Sequence, residues 1–347
     1  MKLFKENTSV EGDLISVMQM SDNCIRLCVI EVGVEKTAIQ YMADLPIPED
    51  VVRGGELLSP KYISDIIEKV RSSGVDLQKL HLIIPSKKVQ LLSIHDIDDN
   101  AADARSAVET FLMNRKMDPY KYVAYCKHEP SQNASYFSIM LREYHSSLYT
   151  FFNSIGIQIL SIKTPIQALG MHFHDKRTLG FINIGSAYSE IGILHDGHPI
   201  IISNLKTGVN EYIEIIKKEL KIDETEARKI YDQYGFSAIH PDKGLYKKLL
   251  VAIRHHINEL SVHISSWTNT PQYKKSGKAI DGVIVSGPFS YTPGLVQLLT
   301  RTFHMPVYLI NVRNSPHAEL IECGTLTKKQ ITHFLPVLGL AFSLIDE

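Results

Sequence analysis

The chain has 347 residues, enough for two domains that each bury a core. Its apolar share of 44% and charged share of 22% exclude a disordered chain. Lysine and arginine number 37 against 38 acidic residues, and this net charge of -1 argues against a dominant nucleic-acid footprint, so no nucleic-acid partner is expected.

No stretch reaches the roughly 20 apolar residues of a membrane span. Residues 1–13 carry charges without a signal-like apolar core, so a cytoplasmic protein is expected. Residues 14–31 read as two strands around Ser21-Asp22-Asn23. Cys24 and Cys28 fall in that segment, with Cys126 and Cys323 far away; they read as core thiols, not as a disulfide framework. Leu80-His81-Leu82-Ile83-Ile84 is a short apolar strand ended by Pro85-Ser86, and residues 89–94 can form its neighbour. Residues 101–113 suit a helix with Asp98-Asp99-Asn100 as candidate caps. Strands at 120–128 and 135–141, a helix at 144–154, a strand at 157–162 and a helix opened by Pro165 complete an α/β pattern. His172-Phe173-His174-Asp175 carries metal-ligand residue types, but at a connection where solvation is expected, so no metal is assigned there.

The second half opens on Phe181-Ile182-Asn183-Ile184-Gly185-Ser186-Ala187-Tyr188-Ser189-Glu190. An apolar run enters a tight Gly-Ser turn, a geometry that can aim backbone N–H groups at a phosphate. Matching this turn to the first one aligns Gln19 with Asn183, Met20 with Ile184, Ser21 with Gly185, Ile25 with Ser189 and Leu27 with Ile191. That rhythm suggests a duplicated unit, although two ordinary hairpins would also share it. Helices are expected at 210–220, Glu224–Tyr234 and Lys243–Trp267, the last with an apolar stripe at three- and four-residue spacing. His255, His256 and His263 do not form the HExxH pattern, and surface or capping roles are expected for them. Residues 268–278 read as a loop because of Pro271 and Gly277. A strand then feeds Ser286-Gly287-Pro288, where a ligand could approach the backbone. Residues 335–344 read as a terminal helix.

In this order the elements resemble PilM-like type IV pilus assembly proteins of the actin-like ATPase superfamily, related to FtsA and the cytoplasmic part of the type II secretion L protein. The resemblance spans about residues 14–346. It is carried by Phe181-Ile182-Asn183-Ile184-Gly185-Ser186, Gly208-Val209-Asn210, Val283-Ile284-Val285-Ser286-Gly287-Pro288, Pro293-Gly294-Leu295 and Leu338-Gly339-Leu340-Ala341. It implies an α/β, duplicated actin-like (ribonuclease H-like) fold with two lobes around a central cleft. The first lobe would cover 14–178, with a small α/β insertion at about 80–148. The second would cover 179–347, with a helical subdomain at about 207–276. The implied role is a cytoplasmic scaffold, peripheral to the inner membrane through protein partners. Its partner would be a short cytoplasmic segment of an inner-membrane pilus or secretion assembly protein, with self-association as a further option. Residues 89–94, Ala107, Phe111, Tyr136 and Ile139 are candidates for the partner groove.

The resemblance also implies ATP with Mg2+, held by an acidic residue at the start of each phosphate hairpin. Here those positions are the amides Gln19 and Asn183, and Ser21 stands where the family favours glycine. Ile162-Lys163-Thr164-Pro165 also departs from the family's acid-containing connection. Magnesium prefers carboxylate and water oxygens, so these three departures point to weak or lost hydrolysis, a pseudo-ATPase. No catalytic and no metal-binding residue is assigned. Candidate nucleotide-binding residues are Gln19, Ser21, Asn183, Gly185, Ser186, Glu226, Lys229, Ser286 and Gly287, and Lys163 or Arg26 can compensate phosphate charge. The alternative is a functional ATP-hydrolysing assembly ATPase. A third reading, a small-molecule kinase of the same superfamily, lacks a motif-supported catalytic carboxylate. Gly185 is the position where substitution by valine is expected to disturb the site most.

Overall fold

Apolar runs broken by small polar turns become strands, and runs with apolar residues every three or four positions become helices. The computed structural model describes residues 2–5, 14–33, 37–48, 50–95, 101–129, 134–172, 177–310, 317 and 328–346. Asp98-Asp99-Asn100, Phe173-His174-Asp175 and Cys323 lie outside the described residues. The chain divides into two units: Met1–His172 with Arg313–Thr325 and Pro336–Glu347, and Phe173–Val312 with Leu326–Leu335. The terminal segment, expected in the second lobe, thus groups with the first unit.

The first unit comprises β1 (Lys2–Lys5), β2 (Leu14–Met20), β3 (Cys24–Val32), β4 (Thr37–Pro46), β5 (Val52–Arg53), β6 (Glu56–Leu57), α1 (Pro60–Ser72), β7 (Lys79–Ile83), β8 (Val89–His95), α2 (Ala101–Asn114), β9 (Tyr122–Glu129), β10 (Ala134–Leu141), α3 (Arg142–Ser154), β11 (Gln158–Lys163) and α4 (Pro165–His172). Its main sheet has the order β11-β7-β2-β3-β4. Met18, Leu27 and Leu82 pack with Ile63 and Ile67 of α1 and with Leu148 and Phe152 of α3. Pro60 opens α1 at its first turn, where a missing N–H costs nothing.

A second, four-stranded sheet has the order β1-β9-β10-β8. Alternation gives it two faces. Ala124, Phe137 and Ile139 pack on Ala104, Val108 and Leu112 of α2, whereas Val123, Tyr125 and Met140 join the main core. The segment Lys2–Lys5 runs parallel to β9, with Lys2 paired to Val123 and Lys5 to Cys126.

The second unit comprises β12 (Thr178–Ile184), β13 (Ser189–His195), β14 (His198–Leu205), α5 (Val209–Leu220), α6 (Glu224–Tyr234), α7 (Lys243–Trp267), α8 (Pro271–Ser276), β15 (Gly282–Ser286), α9 (Leu295–Phe303), β16 (Val307–Leu309) and α10 (Lys328–His333); α11 (Leu335–Asp346) follows. Its sheet, β14-β13-β12-β15-β16, repeats the first unit's order strand for strand. In both, three antiparallel strands are followed by two parallel ones. Asp242 caps α7 by accepting from the Leu245 N–H, and Leu245, Leu249, Ile253, Ile257 and Leu260 are buried along one stripe. That stripe packs with Ile191 and Ile193 of β13.

Two expectations are corrected here. Residues 268–278 are not a plain loop but contain α8: Thr270 caps it by accepting from the Tyr273 N–H, Pro271 starts it, and Gly277 ends it at φ +64°. Proline at the first position and glycine just past the last are helix-boundary residues as much as breakers. His256 and His263 are not at the surface either: both are buried, whereas His255 is exposed. Among the described residues no helix is long and apolar enough to cross a membrane.

Candidate functional site

The two hairpins match in register. Met20 pairs with Ile25 and Gln19 with Arg26; Ile184 pairs with Ser189 and Asn183 with Glu190. Both turns close the same way: the Ser21 N–H donates to the Cys24 carbonyl at 3.0 Å, and the Gly185 N–H to the Tyr188 carbonyl at 2.9 Å. Residues directly opposite in neighbouring strands share a face, so each sheet carries one row through its hairpin amide. In the first unit the row is Asp44, Arg26, Gln19, Ile83 and Lys163. In the second it is Asn204, Glu190, Asn183 and Ser286.

The first row is basic. Arg26 Nε lies 3.5 Å from Asp44 Oδ1. Lys163 is buried, and so is Gln19, whose Oε1 has no hydrogen-bond partner. One row position earlier, His81 Nδ1 sits 2.9 Å from Ser161 Oγ. Burial, and then the charge of Lys163, push the His81 pKa down to about 4. The turn itself is pinned: Ser21 Oγ donates to the Cys24 carbonyl, and Asp22 Oδ1 accepts from the Gly54 N–H. Burial raises both thiols in β3, Cys28 to about 12, so they are inert core groups.

The second row holds a carboxylate that the sequence reading passed over. Asn183 Nδ2 donates to Glu190 Oε2 at 3.2 Å. Ser286 is fully buried and its Oγ has no hydrogen-bond partner. Gly287 has φ +77°, and a Cβ there would stand 2.5 Å from Asn183 Oδ1. The start of α5 covers the turn: Val209 and Asn210 donate their N–H groups to the carbonyls of Gly185 and Ser186. A Cβ on Gly208 would stand 2.5 Å from the Ser186 carbonyl oxygen. The Gly185 N–H, expected to face a phosphate, instead closes its own turn. At Gly185 an added Cβ meets only the Tyr188 carbonyl, at 3.1 Å. The tight glycines are therefore Gly208 and Gly287.

His256 ties this turn to the helices. Its Nε2 is 3.0 Å from Ser189 Oγ and 3.1 Å from Thr207 Oγ1, and its Nδ1 is 3.0 Å from the Tyr212 hydroxyl. Burial outweighs the Thr207 backbone interaction and pushes its pKa down to about 4.

Of the nucleotide-binding candidates, Asn183, Gly185, Ser186, Ser286 and Gly287 gather at one end of the second sheet, and Gln19 and Ser21 at the matching end of the first. Glu226 and Lys229 lie on the exposed face of α6, opposite buried Ala227 and Tyr231. The residues present do not fit magnesium. Among the described residues no three His, Cys, Asp or Glu side chains form a group able to hold a metal ion, and the row through Gln19 carries two cations. Glu190 was legible in principle, because a four-residue turn puts it directly opposite Asn183.

Converting Asn183 to aspartate would set two carboxylates side by side. Asn183→Asp is expected to lower stability by about 1–3 kcal/mol at neutral pH, and millimolar magnesium is expected to recover part of the loss. Thermal melts with and without the metal check this; a melting temperature equal to wild type without metal would contradict it.

Against solved structures, the chain matches a chain of the PilM–PilN type IV pilus biogenesis complex at 16% identity and a TM-score of 0.71, covering 97% of this chain and 99% of that one. It matches MreB5 of Spiroplasma citri bound to AMPPNP at 10% identity and a TM-score of 0.55, covering 95% of each chain. A non-polymerising MamK mutant bound to AMPPNP gives 10% identity and 0.54, with 97% and 100% covered. No protein-family model and no curated protein matches the chain. The chain therefore has the actin-like α/β fold of these structures, its two sheets repeating one strand order.

Proposed function

We propose that the protein is an actin-like scaffold with weak or lost ATP hydrolysis, which binds a short cytoplasmic segment of an inner-membrane protein in type IV pilus or related secretion-machinery assembly. The observation that carries this reading is the pair of amides, Gln19 and Asn183, at equivalent positions of two hairpins that share one register. The fold is kept while the acids that hold magnesium are gone, which favours binding over turnover. The fold match to a chain of a pilus biogenesis complex supports the kind of assembly. Membrane association then comes through the partner, at the cytoplasmic face.

The groove candidates divide between two faces of the insertion sheet. Ile139 is buried against α2, with Phe111 packed on that cluster and the Arg115 guanidinium 4.2 Å from the Phe111 ring centre. Leu91, Ser93 and Tyr136 are half-buried on the opposite face, along the β8 edge of the sheet. An extended segment can add to such an edge by main-chain hydrogen bonds, its alternate side chains resting on that face. Ile139 and Phe111 then support the sheet from behind.

A photo-crosslinker at position 136 is expected to capture, in cells, the cytoplasmic segment of an inner-membrane assembly protein, while one at Val251 on the exposed face of α7 does not. Tyr136→Ala is expected to weaken that complex at least about tenfold, with thermal melts separating lost binding from lost fold. Partners unrelated to envelope assembly, or equal capture at both positions, would overturn the reading. Glu190 beside Asn183 favours one second reading, an ATP-hydrolysing assembly ATPase. It requires magnesium-dependent phosphate release that Glu190→Gln abolishes.

A further inference from the structure

Where β9 starts and β10 ends, the four-stranded sheet leaves apolar and basic side chains together in solvent. Leu141 pairs with Tyr122, which packs on the α2 side of the sheet, and opposed residues share a face. Helix α2 ends at the same place: Met117 donates its N–H to the Leu112 carbonyl, and the single turn Pro119–Lys121 packs against the helix. Met113, Tyr120 and Leu141 are all exposed there, Tyr120 at 74%. This exposure is not that of a loose loop. Asp118 accepts from the Tyr120 N–H, and the Tyr120 carbonyl accepts from Arg142 Nε, each at 3.0 Å.

Arg115, Lys116 and Lys121 are exposed around these side chains. With Arg142 they make four bases against the two acids Asp118 and Glu143, a local charge of +2. Among the described residues none of the four forms a salt bridge, whereas the exposed bases Arg105, Arg228 and Lys248 each lie beside a carboxylate. The patch is built from a helix end, a turn and the ends of two strands that are interior to their sheet, so it offers no edge to an extended peptide. Tyrosine rings favour the layer between water and lipid, and long basic side chains reach from apolar surface to phosphates.

We infer that this end of the sheet rests on an anionic phospholipid surface, with Arg115, Lys116 and Lys121 at the headgroup phosphates and Met113, Tyr120 and Leu141 in the interfacial layer. This goes beyond the scaffold reading, because it assigns a lipid contact to the chain itself, whether or not a partner segment binds at the β8 edge. A few exposed bases give a weak attraction that salt screens. Stable attachment takes a second signal, which a membrane-held partner would supply.

Flotation of the full chain with phosphatidylcholine vesicles, with and without phosphatidylglycerol, tests the inference with no partner present. The chain is expected to float with the phosphatidylglycerol vesicles at low salt, to leave them at high salt, and to ignore pure phosphatidylcholine. Lys116→Glu with Lys121→Glu is expected to weaken binding at least about tenfold, since two bases become two acids. Lys121→Glu alone is expected to weaken it at least about threefold, and it decides if thermal melts show that the pair fails to fold. Trp267, the one tryptophan, is buried, so Tyr120→Trp adds a reporter at the patch. Its emission is expected to shift to the blue on phosphatidylglycerol vesicles, while that of Val251→Trp, on exposed α7 surface, does not. No flotation with phosphatidylglycerol, equal flotation on phosphatidylcholine alone, unchanged binding in the charge variants, or an equal shift in Val251→Trp overturns it. So does a lower Kd for a short DNA duplex than for vesicle lipid, which would assign the patch to nucleic acid.

Discussion

Gly287→Val is expected to destabilise the second unit by about 3–5 kcal/mol. Gly287 has φ +77° and ψ -179°, a backbone region that only glycine visits freely. Its Cβ would also stand 2.5 Å from Asn183 Oδ1 and 3.1 Å from the Ile184 carbonyl oxygen. Those two atoms end β12, and the packed neighbours leave them little room: Ser286 and Ile184 are fully buried. Relief therefore means separating the ends of β12 and β15. At roughly 2–4 °C per kcal/mol, the melting temperature should fall by roughly 6–20 °C. Gly185→Val is the control. It lacks the positive φ and approaches only the Tyr188 carbonyl, so its loss should be markedly smaller. Calorimetry of both variants checks the ranking, and an equal loss would contradict the strain argument.

That ranking reverses the one suggested by sequence. A Gly-Ser turn between two strand-like runs draws attention to Gly185, because small residues in turns are visible without a structure. What constrains Gly287 is the parallel pairing of Asn183 with Ser286, two positions about a hundred residues apart. Local rhythm was enough to read both hairpins and to align Gln19 with Asn183, since a four-residue turn fixes which residues face each other. The same arithmetic would have found Arg26 and Glu190, had it been carried across the strands as well as along them. The charged rows needed the sheet order, because Lys163 reaches the row of Gln19 only through β7. Pairing of Lys2–Lys5 with β9 was equally hidden, since a four-residue parallel strand carries no local signal of its partner.

Histidine roles were the least legible part. A histidine next to an apolar stripe reads as its polar border, yet His256 is inside, held by Ser189, Thr207 and Tyr212. Those three come from the end of one hairpin, a loop and α5, so no local pattern shows them meeting. Their consequence is a testable dependence on acid.

Stability is expected to fall as pH drops from 6.5 towards 4, in both units. His81 in the first unit and His256 in the second each have a pKa pushed from the ordinary 6.5 down to about 4, mainly by burial. Lys163 adds to the shift at His81 and His255 to that at His256. Below pH 6.5 the unfolded chain takes up these protons while the folded chain does not, so protonation favours unfolding. The full contribution is present above pH 6.5, declines through the interval, and is exhausted below about 4, where the folded state also binds the proton. Each histidine accounts for about 2 kcal/mol lost by pH 5. Burial lowers His263 as well, against the opposing charge of Glu259, so its effect has the same sign. Urea unfolding at pH 7, 6 and 5 measures the slope above the range where most carboxylates titrate. His256→Leu should start lower at pH 7, because Ser189 and Tyr212 lose a hydrogen-bond partner, but the second unit should then lose less on acidification. A wild-type stability that is flat between pH 7 and 5, or an unchanged slope in His256→Leu, would show that these imidazoles are not held neutral by the fold.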